Sequence, residues 1–226
     1  MTLSVGSYDN VNDIGELESN ISCLMNQNIT ADVEKYIKKN CGFISFSTNK
    51  RRYRKYLNPR YGYLIPSMWG IYADKSKGAC LIIDEQALKA VNADSLSHAL
   101  WYNFLNVKYK RFQGHKIVSI QDTPEFITHN LQTHLLGQKH ISWAFEQERR
   151  LIGVGLPSSL SLQDSVIVGI IMGKFVSPQQ KNHLNSILNN PKEACYNLDK
   201  RIFVRQEILG ANMYTTEMGN YFNSSI

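Results

Sequence analysis

A chain of 226 residues, 43% hydrophobic and 11% aromatic, is long enough to bury one sizeable core. Its formal charge of +6 and pI near 9.1 favour anionic partners such as nucleic acid, nucleotides or phosphates. Cys23, Cys41, Cys80 and Cys195 form no C-x-x-C pair, so composition points to neither a zinc site nor a disulfide framework and fits a reducing cytoplasm. The polar, acidic N-terminus lacks the pattern of a signal peptide, and no apolar run reaches the roughly 18 residues that a membrane span needs.

In chain order, residues 1–40 read as a polar helical lead-in. One amphipathic piece lies around Ile14, Leu17, Ile21 and Leu24, and a helix runs from the cap candidate Thr30 through Lys39. Gly42 to Thr48 predicts a strand with Phe43, Ser45 and Ser47 on one face. The most basic stretch follows, in which Lys50, Arg51, Arg52, Arg54, Lys55 and Arg60 interleave with Tyr53, Tyr56, Tyr61 and Tyr63. Cations beside rings suit phosphates and stacked bases; the alternative is a solvated loop whose tyrosines pack onto the core.

Met68, Trp69 and Tyr72 fall at helical spacing, which by itself describes a core stripe, and residues 79–84 form a buried type of strand. A helix over 84–93 and strands over 107–110 and 117–120 lead to a helix with Thr123 as cap and Pro124 at its first position. His129 and His134, five apart, fall on different helix faces, which argues against a metal pair. The strand 165–173 is the most apolar. A helix from Ser177 through Leu188 and closing strands at 194–198 and 202–208 precede a flexible tail over 211–226.

The stretch HISWAFEQERRLIGVG carries Glu146, Glu148 and Arg150 at every second position. As a strand it sets all three on one face and the mixed set Phe145, Gln147 and Arg149 on the other, which suits a strand entering or leaving a sheet more than one at its centre. As a helix it would make Glu146 and Arg150 an ordinary surface pair. The β-branched, glycine-punctuated continuation Leu151 to Gly155 favours the strand. On spacing alone, a solvated charged face is the commoner outcome.

Phe46-Ser47, Met68-Trp69, Tyr72-Ala73-Asp74 and Gly78, followed by Lys139, Trp143, Glu146, Glu148 and Arg150, resemble the MW-x-x-YA-[DE]-x-x-x-G and W-x-x-E-x-E-x-R motifs of an uncharacterised bacterial family related to the AbiGi abortive-infection proteins. The likeness runs over residues 42 to about 210. It implies a phage-defence or toxin setting, and a strand layout similar to the ADP-ribosyltransferase superfamily, whose NAD-splitting site joins a serine-bearing strand to a later Glu-x-Glu.

On that likeness NAD is the substrate. Glu148 would stabilise an oxocarbenium-like transition state, Glu146 would orient or deprotonate the acceptor, and Ser47 would support the carboxylate or the ribose. Trp69 or Tyr72 would stack on the nicotinamide, and Arg150 or the 50–60 loop would meet phosphate. One departure is that residues 1–49 hold no Arg or His, which that superfamily places before its serine strand.

The fold expected is one α+β domain over residues 41–210, a mixed, mostly antiparallel sheet with packed helices and with strands 79–84 and 165–173 at its centre. The leading function is ADP-ribose transfer or NAD cleavage, with an antitoxin or defence partner protein. The alternative is a non-catalytic nucleic-acid-binding module, contacting its ligand through Arg51, Arg52, Arg54 and Arg60, in which Glu146, Glu148 and Arg150 form a structural ion network. A nuclease ranks below both, because no Asp/Glu/His cluster reads as a metal site.

Overall fold

A computed structural model describes residues 2–8, 16–22, 27–48, 62–111, 123–163, 166–180, 182 and 204–205. The protein is α+β with mostly antiparallel sheets, in two compact units. One comprises Met1, Arg60–Val91 and Leu162–Ile226, and the other Thr2–Pro59 and Asn92–Ser161.

The Thr2–Pro59 and Asn92–Ser161 unit is built on a four-stranded sheet in the order β2 (Gly6–Ser7), β3 (Cys41–Ser47), β8 (Glu148–Val154), β5 (Trp101–Asn106). All its pairings are antiparallel. Two-stranded ladders join β1 (Thr2–Ser4) to β9 (Ser159–Ser161), and β6 (Lys108–Lys110) in parallel to β7 (Gln138–His140).

β8 pairs along both edges, running from Cys41↔Val154 to Ser47↔Glu148 on one side and from Trp101↔Val154 to Asn106↔Arg149 on the other. It is therefore an inner strand and not one entering or leaving a sheet. An inner strand needs an apolar run, which Leu151, Ile152 and Val154 supply, and at its charged end Glu148 pairs with Arg150. Gly153 makes the close approach to β5 possible: a Cβ there would meet Trp101 O at 2.5 Å and Tyr102 Cβ at 2.9 Å.

The N-terminal segment, expected as a lead-in, supplies part of this unit's core. Helix α1 (Glu16–Ser22) buries Leu17 and Ile21, and helix α2 (Gln27–Asn40), which begins three residues before Thr30, buries Val33 and Ile37, each pair spaced i,i+4. Full burial of each such side chain contributes roughly 1.5–3 kcal/mol. Outside the core, Glu34 and Lys38 pair at 2.6 Å, and Lys38 and Lys39 offset the dipole in the last turn of α2.

Helix α6 (Pro124–Asn130) starts as its sequence predicts, the Thr123 hydroxyl accepting from Phe126 N at 3.3 Å. The helix stops at Leu131, so His129 lies on α6 and His134 on α7 (Gln132–Leu135).

In the other unit β10 (Ile167–Met172) lies between β4 (Ala79–Ile83), antiparallel, and β11 (Val204–Arg205), parallel. Helix α3 (Pro66–Tyr72) packs Trp69 with Ile171, Tyr63, Ala73, Cys80 and Ile82. Asp84 caps α4 (Glu85–Val91), its carboxylate accepting from Gln86 N and Ala87 N. A five-residue helix, α5 (Ala93–Ser97), begins the return to the first-described unit. The strand expected over 117–120, most of the helix from 177 to 188, the strand at 194–198 and the tail lie outside the described residues.

Gly153→Ala forces a Cβ against the β5 backbone and is expected to cost about 2 kcal/mol, a Tm loss of roughly 4–8 °C. Gly70→Ala, with nothing within 4 Å of the added carbon, should hold or slightly raise Tm because alanine favours the helix of α3. Calorimetry on both variants decides the matter; equal losses would contradict this account of β8.

Candidate functional site: a buried ion cluster

The cluster begins with a turn. A 3-10 helix over Ile141–Glu146 ends where Gln147 adopts φ 49°, ψ 47°, a left-handed conformation that residues other than glycine adopt only at a cost. The reversal lets Glu146, outside the strand, and Glu148, its first residue, approach the same ammonium group. Lys139 Nζ on β7 lies 2.7 Å from Glu146, 3.1 Å from Glu148 and 3.8 Å from Glu16, with the Trp143 ring centroid 5.2 Å away. Thr48, beyond β3, holds the turn by donating its N–H and its hydroxyl to Gln147 O at 3.0 and 2.7 Å.

Arg150, two residues along β8 and on the same face as Glu148, is 1% exposed. Its Nε donates to Glu148 Oε1 at 2.5 Å and Nη2 to Glu148 Oε2 at 3.1 Å. Nη1 donates to Glu16 Oε1 and, at 2.8 Å, to Leu136 O, and Nη2 also donates to Glu16 Oε2 at 3.0 Å. A guanidinium has five N–H groups, and here five acceptors meet them. Its face lies 5.6 Å from the Phe43 ring centroid.

Glu148 is equally saturated. Oε1 accepts from Arg150 Nε and the Ser45 hydroxyl, and Oε2 from Arg150 Nη2 with Lys139 beside it. Its backbone N–H donates to Tyr109 Oη at 2.8 Å, and its carbonyl accepts from Val107 N at 2.9 Å. Glu16, Glu146 and Glu148 are each 3–5% exposed, so this is not a solvated charged face.

Three carboxylates surround two cations, a formal excess of one negative charge (2 − 3 = −1). The surplus acts differently on the members. Burial pushes the Glu16 carboxyl up, and its bonds to Arg150 only partly offset this. Burial also pushes Glu148 up, but the charge and hydrogen bonds of Arg150, with Lys139 and Ser45, outweigh it and hold Glu148 below its ordinary value of 4.5. Burial would lower Lys139, and Glu148, Glu146 and Glu16 together raise it instead.

Burial drives the Tyr109 hydroxyl up to about 12 and raises Tyr8, whose buried hydroxyl finds no partner and whose ring lies 4.7 Å from that of Phe43. It also lifts the Cys41 thiol to about 12, which removes it as a nucleophile near neutral pH.

The expected site residues are distributed unevenly. Glu146, Glu148 and Arg150 meet in the cluster. Ser47 stands opposite Glu148 in register, but it is exposed and its hydroxyl donates to Glu146 O at 2.7 Å; Ser45 is the serine that reaches the Glu148 carboxylate. Trp69 belongs to the core of the other unit, its indole N–H donating to Tyr63 O at 2.7 Å, so burial leaves its ring no free face for a ligand. Tyr72, at the end of α3, is 47% exposed. Arg51, Arg52, Arg54 and Arg60 lie outside the described residues.

The sequence reading missed Glu16, Ser45 and Tyr109, and gave Lys139 no role. Glu16 had a readable signal: with Leu17, Asn20 and Ile21 it shares the buried face of α1, where a carboxylate needs a cation. Asn20 on that face donates to the carbonyls of Leu135 and Gln138, both at 3.0 Å, fixing the turn that leads into Lys139. Among the described residues no group of three or more His, Cys, Asp and Glu side chains is placed to hold a metal ion.

Residues 68–151 match DUF2971, a family described as a protein of unknown function. The DUF2971 match opens at Met68 and closes one residue after Arg150, so it contains Lys139, Glu146, Glu148 and Arg150 and leaves out Glu16. No curated protein and no solved structure matches the chain. No helix among the described residues is long and apolar enough to cross a membrane.

The shifts fix a pH dependence. The folded-state value of Glu148 is depressed, so its stabilisation is present above pH 4.5 and is lost as pH falls through the folded value. That of Glu16 is raised, so its contribution is present below 4.5 and is lost as pH rises. Glu148→Gln is therefore expected to cost about 3–5 kcal/mol at neutral pH, a deficit that shrinks below pH 4.5, while Glu16→Gln costs less at neutral pH. Urea midpoints of both variants across pH 3–8 test this; equal, pH-independent losses would contradict the assignment.

Proposed function

We propose that this protein is a nucleic-acid-binding module of a bacterial defence system, in which the Glu146, Glu148 and Arg150 motif is an internal ionic skeleton. The observation that carries the non-catalytic part is saturation. All five Arg150 N–H groups and both Glu148 oxygens are engaged inside the protein, which favours a structural role over contact with a substrate. The nucleic-acid part draws support from the +6 charge and from the arginine and tyrosine interleaving of residues 50–63. The defence setting rests on the likeness of the MW-x-x-YA and W-x-x-E-x-E-x-R motifs to relatives of the AbiGi proteins, and an antitoxin or defence partner protein follows from the same likeness.

Changing Arg51, Arg52 and Arg54 together to Ala is expected to weaken oligonucleotide binding and to flatten its slope against log salt by about three. Titrations at several salt concentrations measure both quantities. Undiminished, salt-insensitive binding in the triple variant would remove that segment from the interface.

A second reading, cleavage of NAD with transfer of ADP-ribose to a macromolecule, keeps specific support in the Ser45 hydroxyl bonded to Glu148 and in the left-handed Gln147 between the two glutamates, whose buried side-chain oxygen has no partner. On it Glu148 stabilises positive charge in the transition state and Glu146 serves the acceptor. It predicts that Glu148→Gln lowers NAD turnover on the order of 10²-fold at unchanged Tm. The skeleton reading predicts a large fall in Tm and no NAD consumption by the wild type, and labelled NAD with parallel melting separates the two.

A further inference from the structure

Two turns of the Arg60–Val91 and Leu162–Ile226 unit are locked together. Gly173 N donates to Gly78 O and Phe175 N to Ser76 O, both at 2.9 Å. Contact at this range depends on Gly173, since a Cβ there would lie 2.2 Å from Ser76 O.

The first turn is strained. Asp74, Lys75 and Ser76 have φ of 43°, 54° and 69°, three consecutive residues in a conformation that glycine adopts freely and other residues do not. Bonds from Lys75 N to Gly70 O, Ser76 N to Trp69 O and Gly78 N to Ala73 O hold them there. The sequence thus keeps side chains at positions where the backbone favours none, and one of these is an exposed lysine.

The joined turns carry a distinct surface. Lys75, Lys77 and Lys174 are exposed, against one acid, Asp74, which pairs with Lys77 at 3.6 Å. Phe175 is 61% exposed, with Lys174 Nζ 5.6 Å from its ring centroid, and Tyr72, the last residue of α3 before the first turn, is exposed as well. Excess positive charge meets phosphates, and exposed rings beside it meet the faces of unpaired bases, which a duplex conceals.

We propose that the turns at residues 73–78 and 173–176 form a contact platform for single-stranded nucleic acid, with Phe175 and Tyr72 stacking on bases and Lys75, Lys77 and Lys174 meeting phosphates. This rests on the nucleic-acid reading above and adds to it a second surface and a strand preference.

The test measures anisotropy of a short labelled oligothymidylate, and of a duplex of equal length, with the full chain. Phe175→Ala is expected to weaken single-strand binding roughly ten-fold, and Lys75→Ala with Lys174→Ala to weaken it and lower the salt slope by about 1.4. Gly173→Val, which removes no charge or ring, should weaken binding by parting the turns, with circular dichroism confirming that the chain stays folded. Duplex bound as tightly as single strand, or preference for phosphatidylserine vesicles over the oligonucleotide, would overturn the platform. So would unchanged affinity in these variants while the Arg51, Arg52 and Arg54 variant loses it, which would leave the wider reading standing. Failure of the wild type to bind any oligonucleotide would sink both.

Discussion

A guanidinium that is 1% exposed must have all of its donors met inside the protein, and that demand on Arg150 organises the unit around it. Meeting it takes groups far apart in the chain: Glu16 from α1, Leu136 O from the turn after α7, and Glu148 from its own strand. Removing one partner leaves a charge buried without compensation, which costs far more than the pair contributes when complete. The cluster is better understood as a device that permits one arrangement of α1, β3, β7 and β8 than as a source of large net stability.

Much of this was visible in the residues, and the rest was hidden for physical reasons. The period of two correctly placed Glu148 and Arg150 on one face of a strand. It failed at Glu146, because the left-handed turn at Gln147 is set by packing and by bonds from Thr48, a residue 99 positions away. The mixed charges of β8 suggested the margin of a sheet, yet the strand is inner, because Lys139 and Glu16, from other elements, pair with Glu148 and Arg150, contacts that spacing along one strand cannot reveal.

The strand β5 went unread because its alternation is weak: Trp101 and Leu105 bracket the polar Asn103. The cap at Thr123 and the strand pair 79–83 and 167–172 were local or strongly apolar signals, and they held. Trp69 illustrates the opposite error: a motif residue invites a ligand role, but an indole whose N–H is satisfied by Tyr63 O and whose ring packs on Ile171 is core.

The chemistry of the glutamates follows from their surroundings more than from their spacing. Glu-x-Glu spacing does not by itself describe a catalytic pair, and here Arg150, Lys139 and Ser45 engage both oxygens of Glu148. The two turns of the other unit are the reverse case, with strain held in the backbone and charge and rings left on the outside.

The central claim is that Glu148 and Arg150 act as one structural element. A double-mutant cycle tests it most directly: unfolding free energies of the wild type, Glu148→Gln, Arg150→Met and the double variant, measured in urea at neutral pH. The account predicts strong non-additivity, with a coupling of about 2 kcal/mol or more and a double variant no less stable than the worse single one. Additive losses, with a coupling within about 0.5 kcal/mol of zero, would contradict it.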